Sequence, residues 1–242
     1  MSGPDRLEKR AEIGLVCVKA TDLPRVSRDV SRWCDRALVL TNGMGLEELW
    51  GPGWSGTVDR CVTTAGFLLS EGTVTACEGL FYLDRQSPGF AVLEPALPPG
   101  AVVRVLDIEP VLWAKWLVNS TINPLAALAG CRNDKLSGSP LGPIVRDVLR
   151  ELEEVVPPGP RSESSYIARG MLDSLLSASS NLCSMLQDLR AGRTTEIDQL
   201  TGYRPPGSEG REAPLAEALT ELVRAAQLRG LPAAAAHPDP VG

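Results

Sequence analysis

Three polar residues, Lys115, Asn119 and Asn123, recur at every fourth position of the segment WAKWLVNSTINPLAAL, residues 113–128. At about 100° per residue, each such step turns a helix by only about 40°, so one helical face carries all three. That face offers an ammonium donor and two carboxamides, groups that can hold and protonate a ligand oxygen. Trp113, Trp116, Leu117, Val118 and Ile122 cover most of the remainder. A helix apolar nearly all round is a buried helix, and a buried polar row must find partners. The alternative is a core helix whose lysine snorkels and whose asparagines satisfy neighbouring loops. Pro124 follows Asn123 directly, and its missing N–H frees the carbonyl of Ser120, which predicts a kink or break there.

Two other stretches carry candidate chemistry. Asn181, Ser184 and Asp188 are spaced i, i+3, i+7 and share a face if the pattern from Tyr166 to Arg190 is one long helix. Exposed helix polarity explains them equally well. Beyond Arg190, Thr194-Thr195-Glu196 has the form of a helix N-cap with an acidic first turn. Nearer the start, Asn42 opens the turn NGMG after an apolar run, and its glycines would let backbone approach a pyrophosphate. The full G-x-G-x-x-G pattern is absent, because Glu48 stands in the third glycine's place, so an ordinary strand–helix turn is the competing account. No P-loop is present.

Composition narrows the classes. The 242 residues are 43% hydrophobic and 22% charged, as in ordinary globular proteins. A net charge of −6 and a pI near 5.0 disfavour nonspecific nucleic-acid binding. MSGPDRLEKRAE is charged and lacks the apolar core of a secretory signal, and no apolar run approaches the roughly 20 residues of a membrane helix. A cytoplasmic location and no membrane partner are therefore expected. The six cysteines (17, 34, 61, 77, 131 and 183) are scattered without C-x-x-C, and the single histidine, His237, sits in a Pro/Ala-rich tail. Zinc and a histidine base are improbable, and the cysteines read as reduced thiols.

The elements that must position these groups fall into two parts. IGLVCVKA (13–20) reads as a buried strand, Arg25–Arg36 as a polar helix, ALVLTNGMG (37–45) as a second strand and LEELW as a short helix. This is a βαβ unit of the parallel-sheet type. TVDRCVTTAG, TVTACEGLFYLD and FAVLE read as further strands, and LPPGAVVRVLDIEP closes this part. Pro110 suits the first turn of the next helix. Helices are then predicted at 141–156, broken by the prolines and cap residues of PPGPRSESS, from Tyr166 to Arg190, and at LAEALTELVRAAQLRG, with a loop at 204–214. The fold class is thus α/β followed by all-α, with domains 1–107 and 108–242.

Taken in order, NGMG, then K-x-x-x-N-x-x-x-N-P-L, then N-x-x-S-M-x-Q-D-x-x-x-x-R-x-T-E-I-D resemble the ketopantoate reductases (2-dehydropantoate 2-reductases) over roughly residues 13–203. The resemblance implies a Rossmann-type domain holding NADPH and a helical domain closing over a small 2-oxo acid. Carried over at matching positions, Lys115 would be the general acid that protonates the developing alkoxide. Asn119, Asn123, Asn133, Asn181 and Ser184 would lie on the substrate side. Asn42 would sit where cofactor and substrate meet, Lys19 near the cofactor phosphate, and Glu196 at the nicotinamide ribose, where it could orient Lys115.

Two departures are expected to matter. Only twelve residues precede IGLVCVKA, so the G-x-G-x-x-G unit would be missing, the parallel sheet incomplete and one strand edge open to a homodimer or other partner. On that reading the alternatives to an active reductase are a non-catalytic homologue, a partner-binding module or an incomplete gene model. The loop RPPGSEGREAP and the low-complexity tail lie outside the polar motifs and bear on packing or assembly.

Overall fold

A computed structural model describes residues 10–50, 54, 56–70, 72–138, 140–178 and 181–229; His237 and the rest of the tail lie outside them. The chain divides into two compact units, one ending at Leu112 and the other starting at Trp113.

The first unit runs β1 (Gly14–Val16), α1 (Leu23–Trp33), β2 (Arg36–Val39), α2 (Leu46–Leu49), β3 (Thr57–Thr63), β4 (Gly66–Ser70), β5 (Thr73–Cys77), β6 (Phe81–Asp84), α3 (Phe90–Leu93) and β7 (Val102–Val105). Five strands form one sheet in the order β1-β2-β3-β6-β7, with β4 and β5 as a separate two-stranded ribbon. β2 is parallel to both its neighbours, in the register Leu15↔Leu38 and Leu38↔Asp59. Both its faces are buried, as parallel sheets require. Ala37 and Val39 join Val16, Leu23, Val30 and Leu46 in one core, while Leu38 packs with Cys61, Leu83, Phe90 and Leu93 in another.

Three expectations for this unit are corrected. The sheet is mixed, because β6 runs antiparallel to β3. The connection between them is the β4–β5 hairpin rather than a helix, and without a crossover the chain returns antiparallel. FAVLE is helical rather than a strand: Phe90 and Leu93, three apart, are the pair it buries. The strand expected over 13–20 pairs only through Gly14–Val16, and Leu15 is half exposed. Past Val16 the chain turns into a 3-10 turn at Ala20–Asp22.

The second unit is helical. α4 (Glu109–Ala129) extends across the division, and α5 (Leu141–Val155), α6 (Pro158–Ala178), α7 (Ser184–Arg190) and α8 (Pro214–Arg229) follow, with 3-10 turns at Asn133–Lys135 and Ile197–Gln199. α4 is buried nearly all round, as its pattern requires: Trp113, Trp116, Leu117, Val118, Ile122 and Leu125 are all inside. Of the kink or break expected at Pro124, the break does not occur: the helix runs through it. On α5, Val145, Val148, Leu152 and Val155 form the buried stripe.

α5 ends before PPGPRSESS as expected, but the break is short: α6 starts at Pro158, and only Val156 and Pro157 separate the two helices. Proline is tolerated in a helix's first turn because those N–H groups have no intrahelical acceptor. The helix expected from Tyr166 to Arg190 is two helices. Cys183 is extended (φ −62°, ψ 152°), and its sulfur accepts the Leu186 N–H at 3.4 Å, starting α7 afresh. Asn181, Ser184 and Asp188 therefore do not share one helix face.

Candidate functional site

Along α4, Lys115 and Asn119 are half-buried and Asn123 is buried. Two segments distant in sequence are fastened to this helix. The Trp116 indole N–H donates to the Leu200 carbonyl at 2.9 Å, and the Thr201 hydroxyl donates to the Ser120 carbonyl at 3.0 Å. The Tyr203 ring lies 6.3 Å from Trp113 and 6.5 Å from Trp116. These contacts lay the segment that begins at Glu196 along α4. Glu196 is buried and flanks the 3-10 turn; its side chain does not cap that turn, and the Thr195 hydroxyl accepts the Ile197 N–H instead, at 3.4 Å.

At the far end of the polar row, the Cys183 thiol donates to the Asn123 carbonyl at 3.6 Å, which sets Ser184, the first residue of α7, close to Asn123 in the fold. Ser184 is exposed, as is Asn181. The Asn181 carbonyl accepts the Asn133 N–H at 3.2 Å, so these two candidates come from segments that meet. Asn133 is itself buried, and its side-chain oxygen has no hydrogen-bond partner. A buried amide oxygen left unpaired costs free energy unless a ligand or water serves it.

The remaining residues of the long motif have structural work. Gln187 donates to the Leu182 carbonyl at 2.9 Å, closing the segment before α7. Asp188 is buried and takes the Arg193 guanidinium at 3.0 Å, while the Arg193 N–H reaches the Asp188 carbonyl at 2.8 Å. The D-x-x-x-x-R spacing is thus an ion pair that folds the turn leading to Glu196. Burial pushes the Cys183 thiol up to about 11, and Cys131 is raised for the same reason. Both stay protonated at neutral pH and are poor nucleophiles.

In the first unit, the Thr41 hydroxyl donates to the Val18 carbonyl at 2.7 Å, bringing Lys19 and Asn42 together at the carboxyl ends of β1 and β2. Ligands of open α/β sheets bind at such strand ends. Gly43 and Gly45 have φ of 92° and 70°, which explains the two glycines. Arg60 is the residue that sequence reasoning missed. From β3 its guanidinium donates to the Gly43 carbonyl at 2.9 Å and pairs with Glu47 at 3.4 Å, so it holds the NGMG turn. An arginine seventeen residues past a glycine gives no local sign of that contact.

Residues 107–227 match the ketopantoate reductase PanE/ApbA C-terminal family. A 2-dehydropantoate 2-reductase of Halobacterium salinarum is 30% identical over 240 residues, covering 91% of this chain and 77% of that relative. One from Vibrio cholerae is 34% identical over 121 residues, 49% of this chain and 41% of the relative. Among solved structures, a PanE/ApbA family ketopantoate reductase from Ralstonia eutropha superposes with a TM-score of 0.73 at 22% identity, over 92% of this chain and 78% of that one. A D-mandelate dehydrogenase complex with NADH and anilino(oxo)acetate superposes with a TM-score of 0.69 at 20% identity, over 93% and 79%. The chain belongs to the ketopantoate reductase family.

Proposed function

We propose that this chain reduces ketopantoate to pantoate with NADPH, a step of pantothenate synthesis. The observation that carries the reading is that α4, which bears the row of Lys115, Asn119 and Asn123, is hydrogen-bonded through Trp116, Ser120 and Asn123 to the segments bearing Glu196 and Ser184. The first unit would hold the cofactor and the second the 2-oxo acid. The strand ends at Lys19 and Asn42 suit a dinucleotide: an ammonium stands near a turn whose positive-φ glycines leave its backbone open to close approach. A reduced nicotinamide supplies a hydride when bound.

The chain's own residues do the rest. The Lys115 ammonium polarises the ketone oxygen and gives it a proton as negative charge develops there. Asn119, Asn123 and Ser184 hydrogen-bond the substrate's hydroxyl and carboxylate, and the unpaired Asn133 amide oxygen accepts from the hydroxyl side. Glu196 orients the lysine. No metal is needed, because one ammonium both polarises and protonates.

The test follows NADPH oxidation with ketopantoate as substrate. Lys115→Ala is expected to lower turnover by about 10²-fold or more while the far-UV spectrum and unfolding midpoint stay near those of the parent. An unchanged rate removes Lys115 from the mechanism. A parent protein that neither binds NADPH nor oxidises it overturns the reductase reading.

A further inference from the structure

Pro124 deletes one hydrogen bond from α4, yet the helix runs on to Ala129. In an α-helix the N–H of residue 124 would serve the carbonyl of residue 120. Proline has no N–H, so the Ser120 carbonyl is orphaned inside a fully buried turn. The donor that meets it comes from 81 residues away: the buried Thr201 hydroxyl, at 3.0 Å. We infer that Thr201 is a positioning residue, whose hydroxyl uses the carbonyl freed by Pro124 to hold the Lys115–Asn119 face of α4 in register with the Glu196 segment. The inference rests on the reading of Lys115 and Glu196 given above and adds how their relative placement is set.

Three features make the contact a clamp rather than an isolated bond. Residues 196–202 are tied to one another, since the Leu200 N–H donates to the Glu196 carbonyl at 3.1 Å and the Gly202 N–H to Ile197 at 2.9 Å. A displacement at Thr201 is therefore passed to Glu196. One helical turn earlier, the Trp116 indole grips the neighbouring Leu200 carbonyl at 2.9 Å, so the segment is fixed at two levels of α4. Finally, the proline removes the N–H that the helix would direct at the Ser120 carbonyl, so the Thr201 hydroxyl stands in for the missing ladder donor. Small misplacements of reacting groups are costly, up to about 10²-fold for about 1 Å.

Satisfying an orphan and positioning a segment predict different outcomes, and a pair of substitutions separates them. Thr201→Val keeps the volume and removes the hydroxyl; kcat for ketopantoate is expected to fall about tenfold or more, and the denaturation midpoint to fall with it. Thr201→Ser is expected to restore both. Adding Pro124→Ala to Thr201→Val returns an N–H to the Ser120 carbonyl, so the midpoint recovers while kcat stays low, because the 196–203 segment is still untied from α4. Recovery of kcat together with the midpoint overturns the positioning role and leaves only a filled hydrogen bond. A Thr201→Val protein with parental kcat, or a double variant whose midpoint does not recover, also overturns the inference. A parent with no turnover defeats the reductase reading instead, and the midpoints of the same proteins still decide whether Thr201 serves the carbonyl freed by Pro124.

Discussion

Cys183 shows how one residue can serve structure through a charge it never carries. Its thiol donates to the Asn123 carbonyl, its sulfur accepts the Leu186 N–H, and burial lifts it from an ordinary 9.0 to about 11. The sign of the pH effect follows. Below about pH 9 the thiol is protonated in both folded and unfolded chains and adds no slope. Between 9 and 11 the unfolded chain releases a proton that the folded one keeps, so stability falls as pH rises. Other groups titrate there too, and the comparison is therefore with Cys183→Ser, which keeps a capping oxygen but does not ionise. The thermal midpoint of the parent is expected to fall more steeply from pH 9 to 11 than that of the serine variant. Parallel curves would show that Cys183 is not buried as described.

At the scale of the element, helix ends in the second unit are satisfied by side chains from other helices and loops. The Glu151 carboxylate on α5 accepts the Leu215 and Ala216 N–H groups at 2.9 and 3.2 Å, capping the start of α8 from outside. At the C-terminal end of α5 itself, Arg161 and Arg211 donate to the carbonyls of Glu154 and Val156. A carboxylate at a helix N-terminus and guanidinium groups at a C-terminus also suit the helix dipole. Arg211 belongs to the loop RPPGSEGREAP, which it fastens to the end of α5. Glu151→Ala is expected to cost about 1 kcal/mol in denaturant unfolding, and Glu151→Gln to recover most of it by keeping an acceptor. Equal losses for both would assign the effect to charge rather than to the cap.

For the whole molecule, cofactor binding couples to stability by mass action. A ligand that binds only the folded chain adds about 2.7 kcal/mol at one hundred times its dissociation constant. On the proposed reaction, the thermal midpoint is therefore expected to climb steadily with added reduced nicotinamide cofactor, tested with NADPH and with NADH. A midpoint indifferent to both would overturn the assignment of the Lys19–Asn42 strand ends as a cofactor site. No helix among the described residues is long and apolar enough to cross a membrane.

What sequence could determine followed local rules. The four-residue spacing of Lys115, Asn119 and Asn123 amid tryptophan and leucine specified a buried helix with one polar face, because helical geometry links residues four apart whatever surrounds them. The motif order was enough to indicate the family and the α/β-then-helical layout. What depended on distant contacts was misread. FAVLE looked like a strand until the core required Phe90 and Leu93 on one side; the 166–190 pattern looked continuous until Cys183 capped a new helix. Pro124 predicted a kink or a break; the helix does not break there, and the sequence gives no sign of the donor that serves the freed carbonyl. Only the tertiary structure brings Thr201 to Ser120, Arg60 to Gly43 and Cys183 to Asn123. Such bonds join residues whose separation along the chain has no period, so no pattern in the sequence announces them.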